Sequence, residues 1–171
     1  MRHIYYAFRK ALTMFLVSKG QHKSLNLQWS LMAAIMNSLD SRQFRTLYLA
    51  NGEDVLNNGM YACAWYFSSI LSQFRLIGCS HPTVESTVND LERSGWKDLQ
   101  GPPLPGAVLI WEEIQFPEDN EPHMHIGFSI GGTRAVSMNY LTGVPVEHDM
   151  TFNGTRELKR CLWHEHLRQR H

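Results

Sequence analysis

Thiol hydrolysis needs two side chains brought from separate elements: a cysteine whose thiolate is favoured and an imidazole that exchanges its proton. Cys63 lies where the polar stretch Asn57-Asn58-Gly59 gives way to Tyr61-Ala62-Cys63-Ala64-Trp65-Tyr66-Phe67-Ser68-Ser69-Ile70-Leu71, a helical pattern. That puts its sulfur in a first helical turn, where unpaired N–H groups and the positive end of the macrodipole favour thiolate. Downstream, His123-Met124-His125-Ile126-Gly127-Phe128 reads as a short strand carrying two imidazoles. Alternation places His123 and His125 on one face and Met124 on the other, so either histidine could approach a thiol. Singly, a cysteine between two alanines and a histidine on a strand are usually structural. Their order and flanking elements carry the catalytic reading.

An imidazole base needs a third polar group to hold its tautomer. The next strand-like run offers Ser137 and Asn139, two residues apart on one face. Asn139 is preferred because an amide oxygen accepts a ring N–H, although a turn role before Tyr140 fits it equally. For the oxyanion, the Cys63 amide would be joined by Tyr61 or by a side chain of Asn57-Asn58.

The positioning elements follow from periodicity and turn chemistry. Ile4, Phe8, Leu12 and Phe15 or Leu16 recur at helical spacing, and Ser24 is a candidate cap for a helix whose face carries Leu27, Leu31, Ala34, Ile35 and Leu39. Asp40-Ser41 could open a third short helix through Phe44, Leu47 and Tyr48. The Cys63 helix continues through Phe67, Ile70, Leu71 and Phe74 toward a stop at Gly78. Thr83 caps a further helix with Val84, Val88 and Leu91 a turn apart and Gly95 at its end. The rigid turn Gly101–Gly106 feeds a buried strand, Ala107–Trp111, and an acidic surface loop spans Glu112–Glu121. Strands are expected at His123–Ile130, Thr133–Asn139 and Val144–His148, with an edge strand at Glu157–His164. Helices followed by an antiparallel meander make an α+β fold.

The chain has 171 residues, enough for one domain with a real core. Sixteen basic residues balance sixteen acidic ones, which gives no reason to expect nucleic acid or an anionic membrane as a partner. Three cysteines cannot all pair within the chain, so a reduced protein with one functional thiol is expected, with Cys79 and Cys161 structural. Arg9-Lys10 interrupts the N-terminal apolar run, so neither a cleaved signal nor a membrane span is read there; a cytoplasmic protein, or one released without a cleaved signal, is expected.

The stretch Tyr61–Ser69 resembles the nucleophile helix of the CHAP domains (cysteine, histidine-dependent amidohydrolase/peptidase) and their NlpC-type relatives, which are papain-like peptidoglycan hydrolases. Pro105-Gly106-Ala107-Val108-Leu109-Ile110-Trp111 is similar to their Pro-Gly-Asp strand, with Ala107 where aspartate is usual. His125-Ile126-Gly127-Phe128 is similar to their His-Val-Gly-Ile strand, and Ala135–Asn139 to the strand after it. The resemblance covers Asn51 to His164. It implies a papain-like catalytic domain over residues 51–171, with residues 1–50 a helical extension of the same domain. It further implies Cys63 as nucleophile, His125 as base and Asn139 as orienting group, with Ser137 standing where some relatives carry Glu or His. Tyr61, Trp65, Trp111, His123 and Ser137 are the expected substrate contacts. The implied reaction is cleavage of amide bonds in peptidoglycan peptides, with no cofactor.

Two rival readings use the same residues. His123-x-His125 with His148 or Cys63 could hold zinc, and His164-Glu165-His166 adds a second pair. Alternatively, the fold is a non-enzymatic module that binds a peptide through Trp65, Trp111 and Tyr140. A third variant keeps the catalysis but acts on protein tails or transfers acyl groups.

Overall fold

The computed structural model describes residues 25–168, so the expected helix over Ile4–Leu16 and the Ser24 cap lie outside the described residues. Helix α1 (Leu27–Asn37) is capped by Asn26, whose Oδ1 accepts the Trp29 N–H at 2.9 Å. Leu31 and Ile35 form its buried stripe. The expected third helix is absent. Instead Val55 N–H donates to Leu47 O, and the Asp54 carboxylate accepts N–H groups from Leu47, Leu56 and Asn58 at 2.9, 3.1 and 2.8 Å. These bonds hold Leu47–Tyr48 extended against Asp54–Val55, and a local side-chain acceptor wins over a weak helical period.

Helix α2 (Cys63–Gln73) buries Ala64, Tyr66, Phe67, Ser68, Ile70 and Leu71. It ends at Phe74, and Arg75 then turns left-handed with φ 57°, ahead of the expected stop at Gly78. Helix α3 (Val84–Arg93) begins as anticipated, with Thr83 Oγ1 accepting the Ser86 N–H. Val84 and Leu91 are buried on it.

The six strands are β1 (Lys97–Asp98), β2 (Val108–Gln115), β3 (Pro122–Gly131), β4 (Arg134–Asn139), β5 (Val144–Asp149) and β6 (Leu158–Trp163), in one antiparallel sheet of order β1-β6-β2-β3-β4-β5. The architecture is α+β, with β2 to β5 the expected meander. β6, expected at an edge, is interior: it crosses back to the free side of β2, and the two-residue β1 covers it.

Helix α2 packs on β3 and β4, with Phe67 stacked on Phe128 at 4.3 Å and Tyr66 edge-on to Phe128 at 6.1 Å. Val108, Ile110, Ile126, Phe128, Val136 and Met138 belong to this main core. Leu109, Trp111, Ala135 and Met150 form a smaller core from the alternate positions, on the other face. No helix among the described residues is long and apolar enough to cross a membrane.

Gly127 on β3 pairs with Ser137 on β4. A Cβ there would lie 2.6 Å from Val136 O and 2.7 Å from Ser137 Cβ. Gly127→Ala is expected to destabilise the fold by about 1–3 kcal/mol through overpacking, read as a lower chemical-denaturation midpoint. An unchanged midpoint would contradict this packing.

Candidate active site

Cys63 opens α2 and is half-buried. As a first-turn residue it has an amide without a helical acceptor. Burial pushes its thiol above the usual range, opposed by the amides of Ile126, Ala64 and Cys63 itself and by the Arg156 charge. The thiol is therefore the resting form, not the pre-formed thiolate that the helix position alone suggested. Desolvation outweighs the backbone amides and the Arg156 charge that favour the thiolate.

His125 is buried on β3 opposite Trp111. Its Nε2 lies 2.8 Å from Ser137 Oγ, which in turn lies 2.8 Å from His148 Nε2. His148 Nδ1 is 2.8 Å from the Asp149 carbonyl oxygen, which can only accept. That end fixes the proton order. His148 Nδ1–H donates to Asp149 O, Ser137 Oγ–H donates to the bare His148 Nε2, and His125 Nε2–H donates to Ser137 Oγ. Nδ1 of His125 is left as its basic nitrogen. Burial holds both imidazoles below their ordinary range, with Arg156 and His148 adding to the effect on His125. Trp111 lies 5.4 Å from the His125 ring and 5.7 Å from the His148 ring, and Phe152 stacks on His148 at 4.1 Å.

The orienting bond expected of Asn139 is thus made by Ser137. Asn139 Oδ1 accepts the N–H groups of Leu141 and Thr142 and closes the β4–β5 turn. Trp111 is not a substrate contact: it is fully buried, with its indole N–H donating to Met150 O at 2.7 Å. Trp65 packs against the main core and is not among the cavity-lining residues. Tyr61 and His123 do line the cavity, but both engage Asp119: Tyr61 O–H donates to it at 2.7 Å and His123 Nε2 is 2.8 Å from it. Held by these bonds and by the Glu121 amide, Asp119 drops to about 2. Tyr61 is accordingly engaged away from the oxyanion role.

Cys63 and His125 line one cavity of about 850 Å³, unlinked by a hydrogen bond to each other. They reach it from different sides of β3. Ile126 lies in the main core with α2, whereas His125 faces Trp111. Met124 and Met138 line the cavity from one side of the strand, Phe152 and His148 from the other. The ladder beside His123, Met124 and His125 carries a bulge. The β2–β3 register shifts between Trp111 and Ile114, setting two β2 residues, Glu112 and Glu113, against Met124. Arg156 fills the gap in the ladder: its Nε and Nη2 donate to Glu112 O at 3.0 and 2.8 Å, and Nη2 donates to His123 O at 2.6 Å.

Sequence reasoning missed Arg156 and Phe152 and assigned His148 only to a zinc alternative. The β4–β5 hairpin was the available signal for His148, because pairing Ser137 with Val146 sets His148 diagonally beside Ser137. The proposed His123–His125–His148 zinc set does not converge, since the facing nitrogens of His125 and His148 are both taken by Ser137. Cys161 is half-buried and pushed up to about 11 by burial, the state of an inert thiol. Comparison of the chain with protein-family models and with curated proteins gives no match.

The buried imidazoles make stability pH-dependent. A histidine held below its unfolded value binds fewer protons folded than unfolded, so its contribution is complete above that value and is lost as pH falls through it. His125, His148 and His164 all shift in this direction from 6.5. Thermal denaturation is expected to show Tm falling as pH drops below 6.5, before the carboxylates titrate. A flat Tm across that range would contradict neutral, buried imidazoles.

Proposed function

We propose that the chain is a cysteine-dependent amide hydrolase with a papain-like arrangement, acting on peptide bonds of the kind found in peptidoglycan stems and cross-bridges. The observation that carries the reading is the ordered chain from His125 through Ser137 and His148 to the Asp149 carbonyl. It leaves His125 with a basic Nδ1 in a cavity that also holds a first-turn cysteine. The cavity is lined mainly by apolar groups, among them Leu47, Val55, Met60, Ile114, Phe116 and Leu141, which suits amides flanked by small apolar side chains.

In this reading Sγ attacks the amide carbonyl and the thiol proton passes to Nδ1 of His125 across the cavity that both groups line. The unpaired amides of the first α2 turn stabilise the oxyanion. The leaving amine departs with the His125 proton, and water, giving a proton to Nδ1, hydrolyses the thioester and restores the thiol. Because thiol and imidazole rest neutral, the proton moves during attack. Protonation of His148 would reverse the chain: Nε2–H would donate to Ser137, whose hydroxyl would then donate to His125 Nε2 and move the His125 proton to Nδ1. Loss of activity toward acid follows from this tautomer change as well as from His125 itself.

A second reading, a peptide-binding module, is favoured by the raised thiol and by the missing Cys63–His125 hydrogen bond. Digestion of purified cell wall, with mass analysis of the fragments, separates the two. Wild type should release fragments, Cys63→Ala none, and His125→Ala about 10²–10⁴-fold fewer per unit time. Ser137→Ala should lower kcat with little change in KM. A folded wild type that yields no fragments would remove the wall-hydrolase reading. Binding of the same peptides by a wild type that releases no fragments would establish the module.

A further inference from the structure

The loop joining α2 to α3 holds a second set of chemically capable side chains, away from the chain of imidazoles. Cys79 Sγ, His81 Nε2 and Asp90 Oδ2 lie within 4.8 Å of one another, the one such group of three among the described residues. The separations are 3.5 Å from Sγ to Nε2, 2.7 Å from Nε2 to Oδ2, and 3.9 Å from Sγ to Oδ2.

The arrangement is convergent. Sulfur and carboxylate approach the same ring nitrogen, whereas a nucleophilic triad needs them on opposite nitrogens of the imidazole. A second thiol-based catalytic centre is therefore ruled out by geometry, and coordination, which needs donors meeting at one point, is favoured. A tetrahedral ion with bonds of about 2.0–2.3 Å separates its donors by roughly 3.3–3.8 Å. Both sulfur separations are already close to this, and only the hydrogen-bonded N–O pair has to open.

The donors are also held in place. Asp90 is buried on α3 and accepts the Cys79 N–H at 3.2 Å and the Ser94 hydroxyl at 3.3 Å. The Gly78 backbone lies so close that a Cβ there would be 2.9 Å from Asp90 Oδ1. His81 is tied to α2 through its N–H, which donates to Ser68 Oγ at 2.8 Å. Cys79, expected to be structural, is exposed, so solvent can complete the coordination. One sulfur, one nitrogen and one oxygen suit a borderline cation rather than magnesium or calcium, which take oxygen donors.

We propose that Cys79, His81 and Asp90 form a three-ligand site for a divalent cation of the zinc class, its fourth position open to water. On binding, the Sγ–metal bond replaces the S–H bond and that proton leaves to solvent. The His81 proton moves to Nδ1, freeing Nε2 for the metal. Pro82 and Thr83, which follow His81, line the large cavity, so the ion would fasten part of its wall. The proposal stands independently of the hydrolase reading.

The test uses full-length, tag-free Cys63→Ala protein titrated with cobalt(II), with the near-ultraviolet sulfur-to-cobalt charge-transfer band as readout. One equivalent should bind with that band, zinc should displace it, and zinc should protect Cys79 from alkylation by iodoacetamide. Cys79→Ser should abolish the band, and His81→Ala should weaken binding by more than the about 10–100-fold that losing an outer-shell partner costs. Cys161→Ala should leave both intact. Cys79 is exposed, so its serine variant should fold, which a circular dichroism spectrum checks. Absence of the band in Cys63→Ala, or its survival in Cys79→Ser, would overturn the proposal.

Discussion

Ser137 has one hydroxyl proton and two imidazoles to satisfy. Placed on β4 between His125 on β3 and His148 on β5, it can donate to only one and must accept from the other. The Asp149 carbonyl, an obligate acceptor, decides which. The proton inventory of the site thus follows from a backbone oxygen two hydrogen bonds away from the His125–Ser137 bond. The rest of the local structure serves this chain. Trp111 and Phe152 pack against the rings, and the Asp149 carboxylate binds Thr151 and Asn153 to form the turn that carries Phe152. Phe152 itself has a φ of 52°, a left-handed conformation uncommon for an aromatic residue and held by that turn.

The bulge in β2 and the Arg156 side chain belong together for the same kind of reason. Shifting register at Glu112 and Glu113 takes two carbonyls, Glu112 O and His123 O, out of regular pairing, and buried carbonyls without donors are costly. The guanidinium replaces the missing ladder with three hydrogen bonds. Its fixed charge then acts on both Cys63 and His125, favouring thiolate at the one and neutral imidazole at the other. A backbone irregularity becomes an electrostatic feature of the cavity.

The elements most legible in the chain were those with a long period or an unambiguous boundary: the Cys63 helix, the Thr83-capped helix, and the strands at His123–Ile130, Thr133–Asn139 and Val144–His148. The short helix expected from Phe44, Leu47 and Tyr48 failed because Asp54, distant from the pattern's own period, collects the backbone donors there. β6 was recognised as a strand but not as an interior one, since alternation reports which face a residue occupies and not which neighbour a strand has. At the site, residue types alone favoured Asn139 over Ser137. Turn closure claimed the amide, and only the register of three strands shows that a hydroxyl is shared between two rings. Arg156 was illegible because its role arises from a bulge with no marker of its own.

The β4–β5 turn that Asn139 closes meets the loop ahead of α2 through two bare backbones. A Cβ on Gly59 would lie 2.5 Å from Gly143 Cα, and one on Gly143 would lie 2.4 Å from Asn58 O. Both glycines are left-handed, at φ +98° and +64°. With no side chain between them to act as a spacer, the hairpin tip and the loop leading to Cys63 share a van der Waals boundary. Displacing either one therefore shifts the other, so the cavity wall that the hairpin supplies at Asn139–Leu141 and the axial position of α2 are geared together.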